Sequence, residues 1–228
     1  MWNFDNERNF LMDIKSNTIA HKRGTVRWIP REYSYHNSPV IHIHGNIDPK
    51  SSFTIPARYL ERELTEWTLD FEFGVGSHDL DHTVRDNGKL MPFGQILRWG
   101  ELRILFYQDS GQAWKGIVRI VYQGETRTIE YLRGFKYYYM AVRSETNGIS
   151  IWLDSYCTDY IEIPKSSMVG QPIFFGGNGF AGRFDDIKLY NKRLWPWEIT
   201  ANYWGKELKV KPKGKQSLQW AEIRSKRL

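Results

Sequence analysis

Ala181-Gly182-Arg183-Phe184-Asp185-Asp186-Ile187-Lys188-Leu189-Tyr190-Asn191-Lys192-Arg193-Leu194-Trp195-Pro196-Trp197-Glu198-Ile199-Thr200-Ala201-Asn202 reads as a strand that turns into a short helix. Gly182 permits a close backbone approach, and Phe184, Ile187, Leu189 and Leu194 supply apolar groups for a core. Asn191-Lys192-Arg193 turns the chain. Pro196, whose fixed φ suits a first helical position, then opens helical periodicity over Pro196 to Tyr203.

Working outward, Phe135 to Leu153 is an aromatic entry, an alternating strand, a turn signal at Asn147-Gly148 and a second alternating strand. Asn-Gly between two such runs is a strong hairpin signal. Gly116 to Tyr131 reads as another hairpin, with Val118, Ile120 and Tyr122 on one face and Arg119 and Val121 on the other. Pro39 to Pro56 and Glu66 to Phe73 read as early strands, and further turn signals stand at Asn46 to Lys50, Gly74 to Gly76, Asp109 to Gly111 and Gly176 to Gly179. Short strands punctuated in this way, with one helical stretch near the end, predict an all-β sandwich.

These segments, in this order, resemble a laminin-G-like jelly roll of the concanavalin A-like lectin and glucanase superfamily. The likeness covers roughly Asn9 to Trp204. It implies a two-sheet antiparallel jelly-roll sandwich with one short C-terminal helix and extended termini, divided as an N-terminal arm (1–8), the sandwich (9–204) and a basic tail (205–228). One fold of this kind hosts many functions, so function has to be argued from sites.

The 228 residues suit one β domain, and 10 Trp, 13 Tyr and 12 Phe suit a sandwich filled by large rings and exclude a disordered chain. With Cys157 alone, no internal disulfide forms, and the start Met1-Trp2-Asn3-Phe4-Asp5 has neither a basic n-region nor an apolar h-region, so Sec export is not expected. No run reaches the length of a membrane span. The net charge of +6 sits in the tail, where eight Lys or Arg face only Glu207 and Glu222; the other 204 residues carry 24 basic and 24 acidic groups. A nucleic-acid surface on the sandwich is therefore unsupported, whereas the tail is a docking candidate through Lys209, Lys211, Lys213, Lys215, Trp220 and Arg224.

Glycosidases of the superfamily place two glutamates and a central aspartate at alternate positions of one strand. The nearest match here is Thr68-Leu69-Asp70-Phe71-Glu72, in which Asp70 and Glu72 share a face about 7 Å apart but Thr68 stands where the first glutamate belongs. His78, Asp79, Asp81, His82, Asp86 and Asn87 form the densest set of potential ligands, whose hard oxygens suit calcium, against the alternative of a solvated loop; Asp185 and Asp186 are a second calcium candidate that the resemblance alone implies, against the pairing of Asp186 with a nearby Arg or Lys. His42 and His44 share a strand face that would need a third ligand to hold zinc, and Cys157 reads as an inert thiol. Trp99, Trp114, Trp195 and Trp197 lie near turns. Trp99 and Trp114, with His78 and Asn87, are candidates for contact with a sugar or partner, while Trp195 and Trp197 are expected to lock the final helix onto the body.

The resulting expectation is a non-enzymatic virion component, such as a bacteriophage head-decoration, tail or fibre protein, made in the host cytoplasm. It would bind other virion proteins or copies of itself through its termini, a host-surface glycan through its lectin-like face, and nucleic acid only through the tail. It requires no cofactor, with structural calcium as the one candidate. A free-standing carbohydrate-binding module and a glycoside hydrolase are the alternatives.

Overall fold

A computed structural model of the protein describes residues 20–29, 40–45, 48–57, 66–75, 92–108, 115–133, 137–162 and 170–204. Two antiparallel sheets of seven strands face each other. The first runs β1 (His21–Arg23), β4 (Ser52–Ile55), β13 (Ile173–Gly176), β6 (Pro92–Trp99), β7 (Leu102–Gln108), β8 (Lys115–Tyr122), β9 (Glu125–Arg133). The second runs β12 (Tyr156–Glu162), β11 (Gly148–Leu153), β10 (Tyr137–Glu145), β5 (Thr68–Gly74), β14 (Ala181–Tyr190), β3 (Val40–His44), β2 (Val26–Ile29). The helix α1 spans Pro196–Tyr203, as its proline and periodicity predict.

Alternation decides what each strand buries. On β5, Leu69, Phe71 and Phe73 point between the sheets and are fully buried, so Thr68, Asp70 and Glu72 take the outer face. The centre of the core is aromatic: Phe53 stacks on Phe175 at 4.9 Å, and Phe184 meets Phe53, Phe175 and Phe180 at 5.8, 5.4 and 5.4 Å. On β8, Val118, Ile120 and Tyr122 are buried while Arg119 and Val121 are half-buried, as the sequence pattern requires.

The β10–β11 hairpin is present, but its turn is Thr146-Asn147, because Glu145 pairs with Gly148. Gly148 serves another purpose. A Cβ there would lie 2.0 Å from the Ile161 carbonyl oxygen, so glycine is what lets β12 approach β11.

α1 packs on the outer face of the second sheet through Leu194 and Ile199, which join Tyr139, Ala141 and Trp152 in a small cluster of their own. Trp195 and Trp197, expected to lock this helix, are 62% and 61% exposed. The anchors are Leu194, one residue before the first indole, and Ile199, one turn into the helix.

Candidate functional site

The outer face of the second sheet carries a charged cluster that is partly sealed from water. Strand β14 contains a bulge: Asp185 pairs with Glu72 and Lys188 with Asp70, so Asp186 and Ile187 together face Phe71. Asp186 sits at φ +49°, a left-handed conformation that aspartate tolerates better than most residues. The extra residue re-aims the strand, turning Ile187 into the core while keeping Lys188 on the outer face opposite Asp70. Lys188 Nζ donates to Asp186 Oδ2 at 3.0 Å, and Asp185 Oδ1 accepts from the Asp186 amide at 2.8 Å.

Asp70 lies deepest and is fully buried. Its Oδ2 accepts from Tyr139 Oη and from Asn202 Nδ2, both at 2.8 Å, and Asn202 also donates to Tyr190 Oη at 2.9 Å. Its Oδ1 is buried with no hydrogen-bond partner. Burial raises the Asp70 carboxyl from an ordinary 3.8 to about 6, against the opposing pull of Lys188 and the bonds from Tyr139 and Asn202. Burial, followed by the neighbouring charge of Asp186, raises Glu72 as well. For Lys188, burial works to lower the ammonium pKa, but Asp70, Asp186 and Glu72 outweigh it and hold the group cationic. Tyr139 and Tyr190 are pushed far above the phenol range, chiefly by burial and then by Asp70.

α1 closes one side of this cluster. Thr68 Oγ1 donates to the Lys192 carbonyl at 3.1 Å and accepts from the Leu194 amide at 3.0 Å, while Arg143 Nη1 donates to the Leu194 carbonyl at 2.9 Å. The buried Glu198 accepts from Lys192 Nζ at 2.6 Å and from the Trp195 amide at 2.7 Å, which fixes the helix start. The position where a glycosidase strand carries its first acid is thus used to fasten the helix leader. Its middle acid is roofed by Asn202.

Away from α1 the face is more open. The Asp186 side chain is 47% exposed and that of Lys188 14%. Glu72, Tyr137, Arg183 and His42 are half-buried, and a Cβ on Gly74 would lie 3.2 Å from the Tyr137 ring, so this glycine makes room for the ring. The result is a shallow patch offering carboxylate acceptors, an ammonium donor and an aromatic ring.

Trp99 is corrected by the structure. It is fully buried, with its ring 4.7 Å from Trp67, and presents no face to a ligand. Asp186 is engaged by Lys188, the His42 and His44 rings lie 4.0 Å apart at a tilt of 43°, and among the described residues no three His, Cys, Asp or Glu converge as a metal set. Cys157 is exposed, and its thiol is held above its ordinary pKa, chiefly by desolvation. His78, Asp79, Asp81, Asp86, Asn87 and Trp114, and the tail residues Lys209, Lys211, Lys213, Lys215, Trp220 and Arg224, lie outside the described residues. The sequence reading missed Lys188, Tyr139, Tyr190 and Asn202. A signal existed for the bulge: Phe184 and Ile187 are both apolar and three apart, which an unbroken strand cannot bury on one face. No helix among the described residues is long and apolar enough to cross a membrane.

No protein-family model and no curated protein sequence matches the chain. Solved structures do resemble it. The receptor-binding domain of a botulinum neurotoxin C/D mosaic serotype superposes with a TM-score of 0.58 at 10% identity, over 85% of this chain and 48% of that one. A botulinum neurotoxin type C structure, described by its cell entry through two ganglioside molecules, gives 0.56 at 11% identity, over 84% and 47%. Domain 4 of AbnA, a GH43 extracellular arabinanase from Geobacillus stearothermophilus, in complex with arabinotriose, gives 0.56 at 10% identity, over 87% of this chain and 94% of that domain. The chain spans about half the length of the neurotoxin domains it matches. At these identities the likeness is one of fold.

Proposed function

We propose that the protein is a carbohydrate-binding sandwich module that holds its ligand without cleaving it, and that the sugar lies on the outer face of the second sheet over Glu72, Asp186, Lys188 and Tyr137. The observation that carries this reading is the division of the face. The half beneath α1 is closed over Thr68 and Asp70, whereas beside the bulge the Asp186 side chain is 47% exposed and Glu72 and Tyr137 are half-buried on the same face. Sugar hydroxyls donate to carboxylates and accept from an ammonium group, and an apolar sugar face stacks on an aromatic ring. Further support comes from the neighbours, one solved with arabinotriose and one described by ganglioside interaction.

Binding is favoured over hydrolysis because the strand lacks its first acid and Asp70 is buried and held by Tyr139 and Asn202. The finer form of the proposal, a virion adhesion or decoration component, rests on the sequence, with its single cysteine and its charge confined to the tail.

The test is a glycan array probed with the full chain, followed by calorimetric titration of the best ligand, with arabinotriose included. Saturable binding that falls at least tenfold in Glu72→Gln with unchanged melting, and in Lys188→Ala measured below that variant's own melting transition, supports the site. Binding indifferent to both substitutions removes it, and reducing-end release from a polysaccharide removes the non-catalytic reading.

A further inference from the structure

The strands that cross the middle of the first sheet, β13, β6, β7 and β8, contain no Asp or Glu. Trp99, Ile104 and Ile120 point into the core, so alternation sends Arg98, Arg103 and Arg119 to the outer face. Arg98 stands directly opposite Arg103, and Arg119 lies diagonally beyond, two residues along β8 from Val121, the partner of Arg103. The row steps by about 5 Å and then by roughly 7–8 Å. Like charges placed directly opposite one another weaken a sheet, and no ion pair among the described residues relieves these three. The acids closest in sequence are Glu101, in the β6–β7 turn, and Glu125, which opens β9 and bonds Arg127 at 3.3 Å.

Two of the guanidiniums are held in place by rings. The Arg98 guanidinium carbon lies 4.2 Å from the Phe174 ring centroid, and that of Arg119 lies 4.7 Å from the Tyr107 centroid. Such stacking fixes the planar fork and leaves its N–H edges for oxyanions, to which arginine donates in pairs. A row of fixed, uncompensated forks fits a polyanion.

The surroundings decide which polyanion. Nucleic acid bound on a sheet lays its bases on open aromatic faces, and here Phe174 and Tyr107 already carry guanidiniums. An acidic polypeptide has backbone N–H and C=O groups to satisfy, as it can along a sheet edge, but the three arginines sit on interior strands that are paired on both sides. Insertion into a bilayer takes projecting apolar groups. None of the exposed large hydrophobic side chains among the described residues lies on this face, where Leu105, Ile117 and Val121 are half-buried. An acidic polysaccharide has none of these requirements: its carboxylates or sulfates take the forks, and its sugar faces lie on the low apolar ground between them.

We infer that the outer face of the first sheet, through Arg98, Arg103 and Arg119, binds an acidic polysaccharide whose units carry uronate or sulfate groups. This face is on the opposite side of the sandwich from the proposed sugar face, so either assignment can fail without the other.

Calorimetric titration of the full chain with polygalacturonate and with dextran sulfate tests this, with neutral dextran as the blank. Expected is saturable binding to at least one of the two polyanions, weakened as salt shortens the Debye length from about 10 Å at 0.1 M to about 3 Å at 1 M. Residues 205–228 carry eight Lys or Arg, which attract any polyanion, so the deciding comparison is between two double variants of equal net charge. Arg98→Gln/Arg103→Gln, with unchanged circular dichroism, should lose at least tenfold in affinity. Arg127→Gln/Arg193→Gln, which removes two arginines paired with acids elsewhere, should lose less than threefold. Equal losses in the two variants, or no binding of either polysaccharide, overturn the proposal. So does binding of a single-stranded oligonucleotide, polyglutamate or phosphatidylglycerol vesicles that depends on Arg98 and Arg103 while both polysaccharides are inert.

Discussion

Replacing Asp70 with asparagine isolates the buried charge beneath α1. In the native chain the carboxyl titrates near 6 when folded and near 3.8 when unfolded, so the folded protein holds its proton more tightly. The sign follows from linkage: stability associated with this group is fully present below pH 3.8 and is lost as pH rises through 6. The difference amounts to about 3 kcal/mol. The side-chain amide introduced by Asp70→Asn would still accept from Tyr139 and Asn202 through its carbonyl oxygen, and would place its nitrogen at the buried, unpartnered Oδ1 position at a cost of about 1–3 kcal/mol. That cost does not depend on pH. Urea denaturation of both proteins at pH 4 and pH 8 therefore separates the two effects: the unfolded carboxyl is already partly ionised at pH 4, so the variant should gain about 2 kcal/mol relative to the native chain between the two pH values, or roughly 4–8 °C in melting temperature for a protein of this size. Parallel pH profiles would show that Asp70 carries no buried charge and would refute the electrostatic account of the site.

Two further substitutions test the packing that positions the face. Thr68→Val keeps shape but strands the Leu194 amide and the Lys192 carbonyl, and should cost about 1–3 kcal/mol by denaturant titration while raising amide exchange in α1 above that of β5. Gly94→Ala would put a Cβ 2.1 Å from the Phe180 amide nitrogen and 2.2 Å from its Cα, a backbone collision no rotamer relieves, so a loss of about 3 kcal/mol or more is expected in thermal melting.

What the sequence discloses and what it hides divide along local and non-local lines. The α1 boundaries are legible because proline and periodicity act within a few residues, and the faces of β8 are legible because alternation is local. The Asp154-Ser155 turn is hidden: both residues adopt positive φ without glycine or asparagine, held by Asp154 accepting the Tyr139 amide across the sheet at 3.1 Å. Trp99 reads as a rim residue from its neighbouring glycine, yet the alternation of Leu97, Arg98 and Trp99 turns it inward, where it meets Trp67 from a distant part of the sequence. The same holds for the site. Asp70 and Glu72 share a visible strand motif, whereas Lys188 and Asn202 reach Asp70 only after β14 pairs with β5 and the helix folds back.

The fastening of α1 to β5 also imposes an order of events. Leu194 binds Thr68 across 126 residues, and Asn202 binds Asp70 across 132. Contacts of such separation contribute nothing until the entropy of closing a very long loop has been overcome. On a ribosome, β5 is made long before either strand that flanks it, and the roof over Asp70 comes from near the end of the described chain. Until α1 docks, Asp70 lacks its Asn202 partner and the cover of the helix, so the carboxyl is more open to water and must give up that water, or take up a proton, when the helix settles. The polar face therefore acquires its final electrostatics only with α1 in place.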